Sequence, residues 1–312
     1  MPVPDGVVRR IAAGVLATFV VMAIRTAHAG SITVTDDRGN TVTLPAPARR
    51  IVSLAPSATA LLFDVGAAKQ TVATVSGTRY PVAAGKLPKV GDSSGLDLER
   101  IVSLRPDLVV AWFSGNGPAR IAQLRRLGLT VYVTEPTRLS DVASNLEKLA
   151  LLSGHERAGR NVAARFRREV ARLAGRYENR RPLRVFYEIW GQPLMTVGGS
   201  QWISQVVRLC GGRNIFRGMD SKAPTVDREA VLAARPQIIV ADAPDDVTAR
   251  RWLTAWHAWP SLPAVRLKGL IQAPANILSE PTPRLLAGAR WLCRRMQQVR
   301  GRITAARIGD AH

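Results

Sequence analysis

The sequence has few of the residue patterns that catalysis requires. It contains four histidines in 312 residues, and none of them belongs to a catalytic motif. The G-x-S-x-G turn of serine hydrolases, the H-E-x-x-H helix of zinc proteases and the glycine-rich phosphate loops are absent. The acidic pairs Asp36-Asp37 and Asp245-Asp246 fall in predicted turns, where such residues usually cap the backbone. The sequence therefore gives no specific support for an enzyme.

Acidic residues are scarce as well. The chain has 44 Lys and Arg against 23 Asp and Glu, and its formal net charge is +21. Such a charge makes nucleic acid a candidate partner. However, there is no basic helix with interleaved aromatic residues, no zinc-finger spacing and no RNP-like segment, and the arginines are spread along the whole chain. A solvated arginine-rich surface is the simpler interpretation, and we expect no nucleic-acid partner.

Residues 1–29 have the features of a signal peptide. Arg9-Arg10 precedes an apolar run (11–24), and Ala27-His28-Ala29 has the small-x-small pattern of a signal peptidase site. The run is short for a membrane span, and no cysteine follows the cleavage point to carry a lipid anchor. We predict a Sec-type signal, maturation near Gly30 and a soluble protein outside the cytoplasm.

Cysteine is limited to Cys210 and Cys293. Two thiols with no histidine at ligand spacing do not make a zinc site, and we predict no metal ligand in this protein. In an exported chain such a pair usually forms a disulfide, so we predict a structural bridge.

One segment occurs twice, at residues 97–111 and 227–241. Each copy has an aspartate at the predicted N-cap (Asp97, Asp227), a glutamate in the first helical turn, apolar residues at helical spacing, an Arg-Pro pair and a short apolar run. The acids suit a helix N-terminus, the proline ends the helix, and the run is typical of a buried parallel strand. The repetition predicts two similar α/β lobes, with chance similarity as the alternative.

The rest of the chain alternates in the same way. Residues 31–44 predict a β-hairpin, and short strands and helices lie on both sides of one long amphipathic helix, predicted from about residue 155 to 178. We therefore predict an N-terminal lobe at 30–153, an inter-lobe helix within 154–180 and a C-terminal lobe at 181–312. A helical linker is semi-rigid, so large hinge closure is not expected.

Two segments near the C-terminus need separate mention. Trp252, Trp256 and Trp259 lie at helical steps and would suit a ligand cage, but a helix packed on its own lobe needs the same residues, and we favour packing. The last strand is predicted at residues 265–271, and a final helix at about 284–299 carries Cys293.

Three stretches carry a resemblance to a known family: the repeated segment, residues 50–59 (Arg-Ile-Val-Ser-Leu-Ala-Pro-Ser-Ala-Thr) and residues 207–216 (Val-Arg-Leu-Cys-Gly-Gly-Arg-Asn-Ile-Phe). They resemble the periplasmic solute-binding proteins of ABC importers for vitamin B12, haem and iron siderophores, and above all the vitamin B12-binding branch. The resemblance covers roughly residues 48–300, and Cys293 matches the second disulfide cysteine of that branch. It implies an α/β fold of two Rossmann-like lobes joined by a single long helix, with the ligand held in the cleft of a periplasmic monomer.

The resemblance also implies a role for Glu99 and Glu229, one in each copy of the repeated segment. In this family one surface acid per lobe docks into arginine pockets on the membrane-spanning subunits. Charge-assisted carboxylate–guanidinium pairs suit such docking because they fix orientation and stay separable. The alternative is that both glutamates only complement helix N-termini.

The ligand site that the resemblance implies keeps only part of its aromatic lining. Trp112 and Tyr80 match aromatic positions of the vitamin B12-binding branch, whereas Ser93, Met195 and Ala223 replace aromatic residues there. Trp190 and Trp202 are expected to compensate. The predicted ligand-binding residues are Ser57, Tyr80, Ser93, Trp112, Trp190, Met195 and Trp202.

A corrinoid is the expected cargo, since a large flat ring is held by aromatic faces and a few polar groups. Haem-binding relatives supply a Tyr or His ligand from the loop that here reads Gly91-Asp92-Ser93-Ser94, which has neither. An iron siderophore would gain from Arg79 and Lys222. We expect no cofactor other than the transported corrinoid, with a siderophore or haem as the alternative cargo. An exported α/β enzyme and a charge-driven binder of anionic surfaces remain weaker hypotheses.

Overall fold

The computed structural model describes residues 30–92, 94–275 and 277–309. The signal peptide predicted at 1–29 and the predicted ligand residue Ser93 lie outside these ranges. Within them, no helix combines the length and the apolar character that a membrane crossing needs.

The helices and strands follow the predicted alternation. The N-terminal lobe contains β1 (Ile32–Thr35), β2 (Thr41–Leu44), β3 (Ile51–Ser53), α1 (Pro56–Asp64), β4 (Thr71–Ala73), α2 (Val82–Gly85), α3 (Leu98–Ser103), β5 (Leu108–Trp112), α4 (Phe113–Asn116), α5 (Pro118–Arg126), β6 (Val131–Thr134) and α6 (Leu139–Ser153). The long helix is α7 (Glu156–Tyr177). The C-terminal lobe contains β7 (Leu183–Gly191), β8 (Leu194–Thr196), α8 (Trp202–Leu209), β9 (Gly212–Asn214), α9 (Arg228–Ala234), β10 (Ile238–Ala241), α10 (Asp246–Ala255), α11 (Pro263–Arg266), β11 (Leu270–Gln272) and α12 (Leu285–Gly309).

Each lobe is built on one sheet. The N-terminal sheet has the strand order β4-β3-β5-β6 and is parallel throughout, and the predicted hairpin forms as antiparallel β1-β2 beside it. In the C-terminal sheet β11, β10, β7 and β9 are parallel neighbours, while β8 adds an antiparallel edge to β7. Strand β10 is buried along its whole length, and β5 is buried up to Ala111, as continuous apolar runs require. The two-lobed α/β prediction is confirmed.

The repeated segment begins in the same way in both lobes. Asp97 Oδ1 accepts a hydrogen bond from the backbone N–H of Arg100 at 2.9 Å, and Asp227 Oδ1 accepts one from Ala230 at 2.7 Å. Each aspartate is thus the N-cap of its helix, where it satisfies a backbone donor that has no partner within the helix.

The two copies also end alike. Arg105 and Arg235 both have a positive φ, of 45° and 47°, which closes each helix with a left-handed residue. An arginine from the preceding strand region then binds the helix end: Arg50 Nε donates to the Leu104 carbonyl at 2.7 Å, and Arg184 Nε donates to the Arg235 carbonyl at 2.9 Å. The repetition is therefore structural, and chance similarity is the wrong alternative.

Helix α7 packs against helices of both lobes. Its buried face includes Phe166 and Leu173, which belong to one hydrophobic cluster with residues of α6, α8 and α12. Gly159 allows close approach to α6, because a Cβ there would lie 2.2 Å from the Cβ of Ala150. On the other side, Glu169 Oε1 pairs with Arg290 of α12 at 2.8 Å. The linker helix is thus attached to the body on two sides.

Two further predictions, a disulfide and a strand, can be compared with the structure of the C-terminal lobe. The disulfide between Cys210 and Cys293 is present, with both residues fully buried. The strand predicted at 265–271 is wrong for most of its length, because Pro263 begins the short helix α11, in line with the preference of proline for a first helical position. Gly269 follows it, where a Cβ would lie 2.2 Å from the Gln237 carbonyl oxygen, so the strand starts only at Leu270.

Candidate functional site

A cavity of about 1000 Å³ is lined by residues from both lobes. Its walls come largely from segments at the carboxyl ends of parallel strands, including Trp112 at the end of β5, Glu135 after β6 and Asp242 after β10. In α/β sheets this edge is where ligands bind, because the loops there converge outside the sheet. The cavity is therefore the candidate ligand site of the protein.

Four of the predicted ligand residues lie together in this wall: Tyr80, Trp112, Trp190 and Trp202. The indoles of Trp202 and Trp190 are held by different hydrogen bonds. Trp202 is buried and its Nε1 donates to the Leu278 carbonyl at 3.0 Å, whereas Trp190 is 48% exposed and its Nε1 donates to the Gln192 carbonyl at 2.9 Å. Both lobes thus contribute aromatic surface to one space.

The backbone around Trp112 is shaped to admit its ring. A Cβ on Gly115 would lie 2.2 Å from Cε3 of the indole, so only glycine lets the ring rest against α4. The backbone N–H of Trp112 donates to Asn116 Oδ1 at 2.7 Å. The side-chain amide of Asn116 in turn donates to the Leu54 carbonyl at 3.0 Å. This chain of contacts fixes the end of β5 where the indole enters the cavity.

Two other predicted ligand residues are not part of this wall. Ser57 is half-buried in the first turn of α1, and Met195 is half-buried in β8. The backbone of Met195 pairs with that of Trp190 on one side and forms a β-bridge with Thr225 on the other. Neither residue is among those that line the cavity, and both assignments stay predictions. Ala223, Arg79 and Lys222 do line the cavity.

An ion pair that the sequence analysis missed connects the lobes inside the cavity. Lys222 Nζ contacts Glu135 Oε1, and Glu135 also accepts hydrogen bonds from the Ser114 hydroxyl and, at 2.9 Å, from the Ser114 N–H. Burial is the main reason why the pKa of Lys222 is lowered, with the charge of Arg38 adding to it. A carboxylate directly after a parallel strand was the available signal for Glu135. The pairing of Glu135 with Lys222, which is distant in the sequence, has no signal in the sequence that would predict it.

A second polar group in the wall is centred on Asp242. Tyr187 donates its hydroxyl to Asp242 Oδ2 at 2.9 Å, and the Ser279 hydroxyl lies 3.1 Å from the same oxygen. Burial, reinforced by the neighbouring Asp242 charge, raises the pKa of Tyr187. This phenol therefore stays a neutral hydrogen-bond donor, and it holds the carboxylate at the cavity wall.

Arg284 and Tyr80 form a further contact between the lobes. The guanidinium of Arg284 lies 3.8 Å from the centre of the Tyr80 ring, a distance at which a cation is attracted by the π face. Two carboxyl groups feel the same cation: burial raises the pKa of Asp64 to about 6 and also raises that of Glu280, and the Arg284 charge partly opposes both shifts. Tyr80 is thus positioned by the opposite lobe.

The wall offers contacts for binding a large, partly flat molecule. Among the described residues it contains indole and phenol rings, the three acidic side chains of Glu135, Asp242 and Glu280, cationic side chains and no histidine or cysteine. In the same part of the chain no group of three His, Cys, Asp or Glu is arranged to hold a metal ion. His155, for example, contacts Gln70 at 2.7 Å, away from this wall.

The predicted docking acids lie outside the cavity. Glu99 and Glu229 are both exposed in the first turn of their helices, α3 and α9, at equivalent positions of the two repeated segments. They therefore present one carboxylate on the surface of each lobe.

Comparison with known proteins agrees with this architecture. A family model described as periplasmic binding protein matches residues 51–277. The vitamin B12-binding protein of Vibrio cholerae is 35% identical over 249 residues, which are 80% of this chain and 89% of that protein. The crystal structure of the periplasmic vitamin B12 binding protein BtuF of Vibrio cholerae matches with a TM-score of 0.75 at 34% identity, over 81% of this chain and 98% of that chain. The periplasmic haem-binding protein BhuT in complex with two haems matches with a TM-score of 0.70 at 25% identity, over 81% and 99%. This chain belongs to the periplasmic binding protein family.

Proposed function

We propose that this protein is the periplasmic substrate-binding component of an ABC importer and that it captures a corrinoid in the cavity between its lobes. The observation that carries the proposal is the cavity of about 1000 Å³ between the lobes. Its wall includes aromatic rings from both lobes, those of Tyr80, Trp112, Trp190 and Trp202. Such rings can cover the faces and edge of a macrocycle, and its polar substituents can meet Asp242 and Lys222. The similarity to vitamin B12-binding proteins over most of the chain supports the same cargo.

The protein binds its cargo and releases it without changing it. The mature chain is a monomer in the periplasm, exported by the signal at residues 1–29. It docks on the membrane-spanning subunits through Glu99 and Glu229. The exposure of both carboxylates at equivalent places on the two lobes supports this role, because one charged contact per lobe fixes the orientation of the protein on its transporter.

One feature of the cavity favours a second cargo. Arg79, Lys222 and Arg284 all line it, and cationic walls suit the carboxylate or catecholate groups of an iron siderophore. Haem is the other candidate of this class, and the similarity to the haem-binding protein BhuT supports it. Among the described residues the wall provides haem iron with no histidine, and Tyr80 is its only phenol.

Titration of the purified mature protein distinguishes these cargoes. Cyanocobalamin, haemin and a ferric siderophore are titrated separately by calorimetry and visible absorbance. We expect saturable one-to-one binding of cyanocobalamin and its recovery unchanged. Saturable binding of haemin or the ferric siderophore, with none of cyanocobalamin, would replace the corrinoid by that cargo, and turnover of the ligand would replace binding by catalysis.

A further inference from the structure

A smaller cavity adjoins the first one on the C-terminal lobe. It has a volume of about 550 Å³ and lies between the end of β7, the start of α9 and one face of α10. Its principal side chains are Glu188, Trp190, Arg228, Thr248, Arg251 and Trp252. Trp190 and Pro244 line both cavities, so the two spaces are neighbours with a common wall. We call the smaller space the arginine cavity.

Two guanidinium groups give the arginine cavity its charge. Arg228 is held over two indoles, 5.4 Å from the ring centre of Trp256 and 5.2 Å from that of Trp259. Arg251 extends from α10 and is exposed. Within the described ranges neither arginine forms an ion pair. Both line the same cavity, and a guanidinium outside an ion pair attracts an oxyanion, because its fork of N–H donors matches the oxygens of the anion.

Among the described residues, the acid that lines the arginine cavity is Glu188, which is only 3% exposed. Its Oε2 accepts a hydrogen bond from Trp256 Nε1 at 2.9 Å. Burial raises the pKa of Glu188 to about 7, although the Trp256 hydrogen bond and the Arg228 charge both oppose the rise. Near neutral pH a large fraction of this carboxyl is therefore protonated, and in that form it donates a hydrogen bond instead of repelling an anion.

Two indoles, those of Trp190 and Trp252, contribute apolar surface to the remaining wall, which also includes the polar residues Gln192 and Thr248. Trp190 and Trp252 meet edge to face with their centres 6.5 Å apart. Gly191 lies against the second indole, and a Cβ there would be 2.5 Å from Trp252 Nε1. The absence of a side chain at Gly191 thus lets Trp252 pack against the end of β7. The hydroxyl-bearing Thr248 also lines the cavity.

We propose that the arginine cavity binds an oxyanion, a carboxylate or phosphate group carried by a small molecule. Arg228 and Arg251 supply the positive charge, and Glu188 supplies a hydrogen-bond donor at neutral and lower pH. The indoles of Trp190 and Trp252 cover the organic part of the ligand. The anion is either a substituent of the cargo that reaches past Trp190 or a separate small molecule. The site is distinct from the cargo cavity, and its charge chemistry does not depend on which cargo the protein carries.

The test uses inorganic sulfate, which stays fully ionised between pH 5 and 8, titrated calorimetrically into the mature protein with chloride as the background anion. We expect saturable one-to-one binding that Arg251→Gln weakens roughly tenfold or more, as the loss of a charge-assisted hydrogen bond implies. The matched control is Arg165→Gln, which removes the same charge from an exposed position of α7 and should leave sulfate affinity unchanged. Equal affinities in both variants, or no saturable binding to the unmodified protein, would overturn the proposal.

A second variant tests the role of Glu188. The charged groups in this cavity with it are Arg228 of α9 and Arg251 of α10, and Asp245 at the N-cap of α10 is an acid that feels the Arg251 charge. Sulfate affinity should rise as the pH falls through about 7, where Glu188 takes up its proton. Glu188→Gln keeps an N–H donor and loses the charge, so its affinity should stay flat across that range. A pH dependence that persists in Glu188→Gln would contradict the role given to this residue.

Corrinoids then identify the source of the anion. Cobalamin carries a phosphodiester in its nucleotide arm, and cobinamide lacks that arm. If sulfate competes with cyanocobalamin and not with cobinamide, the cargo itself supplies the anion. If sulfate binds beside both, a separate small molecule supplies it. The sulfate titration needs no corrinoid, so failure of the arginine cavity and failure of the proposed cargo are told apart.

Discussion

At the scale of single residues, burial makes Glu188 a source of pH-dependent stability. The folded protein holds the proton of Glu188 with a pKa of about 7, against an ordinary value of 4.5. Between these two values the folded state binds more protons at Glu188 than the unfolded state does, so the contribution of this residue to stability is greatest below pH 4.5 and falls as the pH rises through 7. Asp64, with its pKa raised to about 6 by burial, adds a contribution of the same sign.

We therefore expect Glu188→Gln to flatten the decline of the unfolding free energy between pH 5 and 8, since glutamine has no proton to release. One pKa unit corresponds to about 1.4 kcal/mol, so the effect is measurable by denaturant titration at four pH values. The control Glu156→Gln removes an exposed carboxylate of α7 and should keep the slope of the unmodified protein. Parallel slopes for all three proteins would show that Glu188 does not contribute.

A second residue-scale prediction concerns the aromatic wall. Trp112→Ala should weaken cyanocobalamin binding by roughly one to two orders of magnitude, as the loss of about 1.5–3 kcal/mol of buried apolar contact implies. Trp112→Phe keeps a ring and should lose less. Calorimetric titration gives both affinities, and unfolding curves of the same variants separate loss of the wall from loss of the fold. Affinities that do not differ among the three proteins would remove Trp112 from the site.

At the scale of elements, the disulfide joins the end of α8 to the middle of α12. It closes a loop with a sequence separation of 83, and the chain-entropy model gives at most about 4–5 kcal/mol for a loop of that length. Replacing Cys210 and Cys293 together by alanine should lower the unfolding free energy by a part of that amount. Under reducing conditions the unmodified protein should approach the stability of the double variant, as measured by urea titration. An unchanged midpoint would show that helix packing alone holds these elements together.

Elements with a clear hydrophobic periodicity or a capping residue could be predicted from the sequence. Elements whose bounds depend on a single tertiary contact could not. The apolar steps of α7 and the N-caps of α3 and α9 are local signals, so their positions came directly from the sequence. The strand predicted at 265–271 failed because a turn of helix at Pro263 and the close approach of Gly269 to the Gln237 carbonyl shorten it. Such an approach depends on a neighbouring chain segment that sequence spacing does not reveal.

The candidate site divides along the same line. Trp112 and Tyr80 were found through their place in a family pattern, and Trp190 and Trp202 through their proximity to positions that had lost an aromatic residue. Met195 was also predicted from a matching position in the sequence, and the residues that line the cavity do not include it, so its assignment stays a prediction. The Glu135–Lys222 pair was missed because its members come from different lobes, and only the folded cavity brings them together.

At the scale of the whole molecule, non-covalent contacts connect the two lobes in addition to the linker helix α7. Helix α7 packs on both, and the Glu135–Lys222 ion pair and the Arg284–Tyr80 contact cross the cavity. These contacts keep the repeated segments at fixed places on the surface. The docking that we propose for Glu99 and Glu229 would need such a fixed separation between the two carboxylates.

The last prediction tests this docking. Glu99→Gln and Glu229→Gln should each reduce uptake of labelled cyanocobalamin, and the double variant should reduce it further, by roughly tenfold or more, because charge-assisted pairs with arginine are lost. Cargo affinity in solution should stay unchanged, since neither residue lines the cavity. Glu156→Gln, an exposed carboxylate away from both repeated segments, is the matched control. Helix complementation alone would instead leave uptake intact and cost only a few tenths of a kcal/mol in stability. The two readouts together therefore separate a docking role from a local structural one.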